Sequence, residues 1–394
     1  MKSRLLFYLI LGIVLGACEH LEIPSNEDVS LQKESKALLS AIKVADDFMG
    51  QLDGGTRAPR ILKNVESYFE TSLLTRGNES EPAFYLINYD DDKGFVLVSA
   101  KTEKPEVYAF SETGNLSFSD TITNPGFRDY LERASSVQVN PYYPRDTTTI
   151  INAELAMIVP PILTEPVRNW DQMSLNKYVK EKYGKDYPVG CVALATGQIM
   201  SHKQWPPRWP MTNYDTAKEK YEFDWKTLRY KRVDDMLCRL MEILGRPENL
   251  FVNYGLNGSS AAISDIVRTL KNFGYTNALF SNTFDVQKVI YEIINRNPVI
   301  VGGYPKGGGS GHCWVIDGMC QYKMPYVNPN GDPIYKIYYH FVWGNWGGCN
   351  GYFYYDESTK TFDENPSYRD DSESNSHGTE KIYIGNCMVY GVTR

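Results

Sequence analysis

The chain has no CxxC pair, so neither a zinc ribbon nor a thioredoxin-like redox site is signalled. It has only 5 histidines, and His312, Cys313, Cys320, His340 and Cys349 fit no standard ligand spacing, so no metal and no cofactor is expected. It has no excess of positive charge. The formal net charge is −7, which makes neither nucleic acid nor an anionic membrane surface a natural electrostatic partner. The one long apolar run, Leu5 to Val14, is too short to span a bilayer. The glycine-rich loop from Gly302 to Gly311 lacks the Gly-Lys-Ser/Thr ending of a phosphate loop, so nucleotide binding is not indicated. There is no internal repeat.

What is present is ordinary globular material. Of 394 residues, 42% are hydrophobic and 23% charged, enough for two domains or one large domain with an extension. Tyr is frequent at 29, which suggests a β-rich exported protein. The seven cysteines are irregularly spaced. Lys2 and Arg4 precede the Leu5–Val14 run, which ends Leu15-Gly-Ala-Cys18. This looks like a bacterial lipobox. It predicts a signal peptide over 1–17, lipidation of Cys18, and a polar tether over 18–34. Glu19 rather than Asp follows, which favours outer-membrane or cell-surface anchoring. The membrane would then be touched only through the lipid anchor. An ordinary signal peptide with an incidental Cys is the alternative.

Beyond the tether, Leu38, Leu39, Ile42, Ala45, Phe48 and Met49 recur at helical spacing and predict a helix over Ala37–Leu52. Ala83–Tyr89 and Gly94–Ala100 read as a β-hairpin, with Val107–Phe110 as a third strand and Phe127–Val137 as a helix. Asn140–Thr149 is a Pro-bounded polar connector and marks the domain boundary, giving 35–149 and 150–394. In the second region the pattern predicts helices over Val233–Leu244, Ser259–Phe273 and Phe284–Asn295. Strands follow over Pro298–Gly302, His312–Asp317, Tyr335–Trp343 and Gly351–Tyr355. Helices followed by an antiparallel sheet make an α+β fold.

The chain is organised around Pro188–Pro206. Pro188 and Gly190 break any preceding element, and Val192, Leu194, Ala195 and Ile199 then predict a buried helix with Cys191 at its start. A helix N-terminus stabilises a thiolate through its unpaired N–H groups and its dipole. Gly197 costs about 1 kcal/mol inside a helix, which points to close packing there. A buried structural cysteine is the plainer reading. It is weighed against His312, which begins a strand 121 residues later, after a glycine loop, with Asn345 following near Trp-Gly. That is the order of a thiol nucleophile, its base and an orienting group. Of the other candidates, His202 and His340 read as packing or surface residues, and Asp317 as fixing a turn before Gly318.

At these residues the chain resembles the streptopain-like cysteine peptidases, of the papain-like clan. The matching stretches are Gly190-Cys-Val-Ala-Leu-Ala-Thr-Gly-Gln-Ile-Met200, Gly311-His-Cys-Trp-Val-Ile-Asp-Gly318, Trp343-Gly-Asn-Trp-Gly-Gly348 and, amino-terminally, Gly94-Phe-Val-Leu-Val-Ser-Ala100. The resemblance implies a papain-like fold preceded by a small inhibitory propeptide domain over 35–149, with a catalytic domain over 150–394. It implies a cysteine endopeptidase made as a zymogen, acting on protein or peptide substrates, with its own propeptide as intramolecular inhibitor. Cys191 would be the nucleophile and His312 the base and acid. Gln172 resembles the oxyanion-hole Gln, and Gly311, Trp343 and Trp346 would border the substrate. Two departures stand out. Cys313 replaces the Ala that usually follows the catalytic His, and Val342-Trp-Gly-Asn-Trp replaces Asn-Trp-Gly-Trp. The orienting third member is therefore either Asn345 or the surroundings of Trp343 and Trp346. Two other readings stay open: a non-catalytic surface lipoprotein using a degenerate protease fold for adhesion or ligand binding, and a cell-wall amidase.

Overall fold

The computed structural model describes residues 26–54, 59–69, 82–100, 105–122, 124–136, 154–210, 219–305, 311–327, 330–345, 347–355 and 382–393. The first region holds α1 (Asn26–Leu52), β1 (Leu62–Tyr68), β2 (Phe84–Tyr89), β3 (Phe95–Ser99), β4 (Val107–Ser111), a 3-10 turn at Phe118–Ile122 and α2 (Pro125–Ser136). Then come β5 (Glu154–Val159), α3 (Glu165–Arg168), α4 (Lys177–Tyr183), α5 (Cys191–Lys203), β6 (Arg208–Trp209), β7 (Tyr221–Glu222), α6 (Trp225–Leu228) and α7 (Asp235–Leu244). The chain continues through α8 (Asp265–Asn272), β8 (Asn277–Ser281), α9 (Val286–Ile294), β9 (Val299–Pro305), β10 (His312–Val327), β11 (Pro333–Val342), β12 (Gly351–Tyr355) and β13 (Ile382–Thr393).

The predicted hairpin is there, and its turn shows why. Gly94 has φ 99°, and an added Cβ would lie 1.9 Å from the Ser111 carbonyl oxygen, so only glycine fits. Helix α9 starts where Asp285 accepts from the Lys288 N–H at 3.1 Å, a side-chain N-cap. Other bounds differ from the pattern. The helix predicted from Ser259 begins only at Asp265, because Asn253 and Ser260 pair as an isolated bridge. The first helix starts at Asn26, inside the stretch read as a tether.

The largest departure from the expected order is the sheet. One antiparallel sheet runs β1-β2-β3-β4-β12-β11-β10-β9-β13-β8, with β5 also on β10. The amino-terminal meander therefore continues the sheet of the second region, through Tyr352 opposite Phe110 and Phe353 opposite Ala109. Three apolar cores flank this sheet. One lies between it and α5, α7 and α8, including Cys313 and Val315. Trp314 and Ile316, the alternate residues of β10, enter a second core with α2 and α9. The third packs Ala41, Ala45, Phe48 and Met49 of α1 against strands from both regions, including Tyr322, Tyr338 and Tyr352.

Candidate active site

Cys191 is the first residue of α5. Gly190 before it has φ 92°, and a Cβ there would touch the Ser259 carbonyl oxygen at 3.4 Å. The Ser259 hydroxyl donates to the Pro188 carbonyl at 2.6 Å. On the other side, the Val189 N–H donates to the Gln172 carbonyl at 3.0 Å. Buried Asp171 shapes that turn by accepting from the Met173 and Ser174 N–H groups at 2.8 and 3.0 Å. Gln172 is thus set beside the segment that delivers Cys191. Deeper in α5, a Cβ on Gly197 would lie 2.4 Å from Met241 Cε and 3.6 Å from the Trp170 ring, the close approach its presence predicts.

The Cys191 thiol does not show the low pKa expected of a helix start. Burial pushes it up, while the backbone N–H groups of Cys313, Val192 and Cys191 itself pull it back. Burial wins because a desolvated thiolate loses more than these donors return.

His312 opens β10 and is 7% exposed. Its Nε2 meets the Trp343 carbonyl at 3.1 Å. Its ring lies nearly parallel to Trp314, centroids 6.2 Å apart, and to Trp343 at 6.0 Å. The remaining cover comes from α2. A Cβ on Gly126 would sit 2.6 Å from His312 Cδ2 and 2.5 Å from the Trp343 ring. Burial holds His312 down to about 4, against the smaller upward pull of the Trp343 carbonyl.

The acceptor on His312 Nε2 is therefore the backbone of Trp343, one of the two places to which the sequence assigns the orienting role; Asn345, two residues on, accepts from the Gly348 N–H at 2.8 Å through its own carbonyl. Trp343 is fixed in turn. Its N–H donates to Asn350 Oδ1 at 3.0 Å, and Asn350 Nδ2 donates to the Arg168 carbonyl at 3.0 Å. Gly344, at φ 76°, presses on α5, where a Cβ would meet Leu194 at 2.6 Å. Gly311 directly precedes His312 and is half-buried. Trp346, Cys18 and the connector with Arg145 lie outside the described residues.

Asp317 lies within β10 rather than in a turn. Its carboxylate accepts from the Leu163 N–H at 3.0 Å and meets His340 Nδ1 at 2.5 Å, tying the chain entry at Ile162–Leu163 to the sheet. His340 is buried on β11. His202 meets the Arg296 carbonyl at 3.1 Å, and burial holds it down to about 4. The six cysteines among the described residues are all free thiols. Residue-type reasoning misses Gly126, Asn350 and Ser259. Of these only Gly126, in Pro125-Gly126, stands in a conspicuous local pattern, and that pattern reads as a turn.

Two family models match the chain: Peptidase C10 family over residues 170–353 and Spi protease inhibitor over 34–137. Streptopain from Streptococcus pyogenes is 27% identical over 305 residues, covering 66% of this chain and 71% of that protein. The thiol protease/hemagglutinin PrtT of Porphyromonas gingivalis is 23% identical over 349 residues, which span 76% of this chain but 36% of that protein. Among solved structures, a mutant prointerpain A fragment from Prevotella intermedia has the same fold, with a TM-score of 0.52 and 22% identity, over 84% of this chain and 99% of that one. With an inhibitor match over 34–137 and a C10 peptidase match over 170–353 following one another in one polypeptide, the chain is similar to the streptopain-like peptidases: it is a cysteine peptidase carried as a zymogen behind a propeptide-like inhibitor domain.

Proposed function

We propose that the chain is a latent endopeptidase in which Cys191 is the nucleophile and His312 the general base and acid. The observation that carries the reading is the tautomer. A carbonyl can only accept, so the neutral His312 must carry its proton on Nε2, facing Trp343. Nδ1 is left with its lone pair, the form a base requires. Latency follows from α2. With Gly126 against the ring, His312 is held among Trp314 and Trp343, on the face of the sheet opposite the core that contains Cys191.

When α2 lifts and the His312 ring turns toward Cys191, its Nδ1 takes the thiol proton and Cys191 attacks the peptide carbonyl carbon. The N–H groups at the start of α5, with Gln172 beside them, receive the oxyanion. The imidazolium, steadied by the Trp343 carbonyl, then protonates the leaving amine, and water hydrolyses the thioester. Gly311, Trp343 and Trp346 border the bound peptide. The lipobox ending in Cys18 supports export and a surface lipid anchor, with membrane contact through the lipid alone.

The decisive experiment incubates the full chain and sequences any new amino terminus. Cleavage is expected within Asn140–Thr149, near Arg145, with peptidase activity rising as the cut propeptide is digested or released. Cys191→Ala should stay folded, uncleaved and inactive. Residual activity above about a thousandth of wild type overturns the nucleophile, since losing one costs more than that. For the anchor, Cys18→Ser should leave the membrane fraction. Its persistence there at wild-type level would remove the lipidation reading.

A further inference from the structure

Helix α3 is four residues long, so it has no further turn to take up its last carbonyls. Val167 and Arg168 find donors elsewhere, on opposite sides of the site. The Val167 carbonyl accepts from Gln198 Nε2 of α5 at 3.0 Å. The Arg168 carbonyl accepts from Asn350 Nδ2, also at 3.0 Å. Gln198 is buried, and it follows Cys191 by two helical turns, so both lie on one face of α5. Leu194, on the same face, is where Gly344 presses. On the other side, Asn350 accepts from the Trp343 N–H at 3.0 Å, and the Trp343 carbonyl meets His312 Nε2 at 3.1 Å. A path of hydrogen bonds therefore runs from the helix of Cys191, through two adjacent residues of α3, to His312. The anchor in the middle is itself fixed. The Leu163 N–H before it donates to Asp317 at 3.0 Å, and the Trp170 indole after it donates to the Lys231 carbonyl at 2.8 Å. A Cβ on Gly347 would lie 1.9 Å from Asn169 Oδ1, so the segment after Trp343 lies directly on the end of α3. Burying the Gln198 amide is costly, and an apolar side chain of equal length would fill the same volume, so its polarity calls for a reason beyond packing.

We propose that Gln198 and Asn350 are positioning residues, and that α3 is the yoke through which they set the approach of the Cys191 sulfur to the His312 ring in the processed enzyme. This rests on Cys191 and His312 being the reacting pair. Each amide ties one reacting group to the same anchor: Gln198 through α5, Asn350 through the backbone of Trp343. Losing either bond lets the start of α5 and the Trp343 segment shift independently. A misplacement of about 1 Å can cost on the order of a hundredfold in rate, whereas substrate binding draws on other groups. The two residues therefore act on the chemical step.

The test uses the full chain, processed to completion by tagged wild type that is then withdrawn. Gln198→Met and Asn350→Leu keep the volume and remove the bonds, and alanine at either position serves where the larger side chain prevents folding. Each is expected to lower kcat at least about tenfold, with KM within about threefold of wild type. Alkylation of Cys191 by iodoacetamide, followed against pH, reads the pair without substrate. In wild type it should begin well below the ordinary thiol value of about 8.5, because His312 takes the proton. In both variants its rise should move to higher pH. The double variant should be no slower than the slower single one, because both bonds belong to one path. Thr269→Val loses a hydroxyl that donates to the Asp265 carbonyl at 2.8 Å within α8, and should lower the urea midpoint while kcat and the alkylation profile stay at wild type. Gln198 and Asn350 variants that are only less stable, with wild-type kcat and profile where folded, overturn the proposal. So does a double variant in which the two losses multiply. Iodoacetamide that labels wild type at a site other than Cys191, or at a rate indifferent to His312→Gln, overturns the reading of the reacting pair and the yoke with it, so the two failures are told apart by the wild-type labelling alone.

Discussion

His312 is neutral in the latent state for a reason that also costs stability in acid. Its ordinary value is 6.5 and burial holds it at about 4, so between those values the unfolded chain binds the proton and the folded chain does not. Stability is therefore fully present above about pH 6.5 and declines as the pH falls toward 4, by up to about 3 kcal/mol for this residue. His202 is shifted the same way, to about 4, and adds to the slope. The lowered carboxyl groups, such as Glu242 beside Arg246 and Lys182, act lower, because their contribution begins to fade only near 4.5. Urea unfolding of the full chain between pH 7 and pH 4.5 should thus show a falling midpoint, and His312→Gln should flatten it. A midpoint unchanged across that range, or an equal slope in the variant, would contradict the buried neutral imidazole. A second residue-scale expectation concerns Gly197. Alanine there meets only Met241 Cε, the mobile end of a side chain, but leucine would also crowd Trp170 and Leu240. Gly197→Leu should cost about 1–3 kcal/mol in thermal or urea unfolding, with Gly197→Ala near neutral.

Among elements, α2 is the one to which the proposed latency is assigned, because it packs against His312 and Trp343. Its contact with His312 is made by the absence of a side chain, since any Cβ at Gly126 must displace the His312 or Trp343 ring. Gly126→Leu should therefore loosen α2 without touching Cys191. Full-length protein carrying it should process faster and show higher activity before cleavage than wild type, read with a peptide substrate and by gel. Equal latency would mean that α2 is not what holds the site closed. Elements such as α5 and the β2–β3 hairpin are legible in the sequence because their signals are local: Pro188-Val-Gly190 before a small-residue run, and Asp-rich turn residues before Gly94. The helix start at Cys191 and the strand start at His312 are legible for the same reason. The sequence leaves the third member divided between Asn345 and the surroundings of Trp343 and Trp346, because Trp343 meets His312 through its carbonyl, which every residue has, and Asn350 holds that backbone from beyond a loop. Strand β1 escapes as well, because its exposed edge gives it no clean alternation. The α2 cover on His312 escapes because a residue that works by lacking a side chain looks the same as any turn glycine.

At the scale of the whole molecule, propeptide and peptidase share one sheet and two apolar cores, so cutting the chain between them does not by itself part them. Strand β4 adds to β12, Phe110 stacks on Tyr352 at 4.8 Å, and Phe48 of α1 packs edge-on to Phe110 and against Tyr338. Across the same seam, Lys336 of β11 meets Glu106 at 2.6 Å, the two side chains only 5% and 12% exposed. Removing one partner of so buried a pair leaves the other charge unsolvated, at about 3–5 kcal/mol. That cost falls on the docked state alone, because once the propeptide leaves, both groups return to water. Two outcomes follow for a chain nicked within Asn140–Thr149. The wild-type fragments should migrate as one particle on size exclusion and separate only in denaturant or after the propeptide is digested further. The nicked Glu106→Gln chain should separate at clearly lower urea and release its activity sooner, while its uncut form remains latent through α2. Wild-type fragments that part at once in native buffer would show that the shared sheet is not the clamp, and that the connector itself holds the zymogen together.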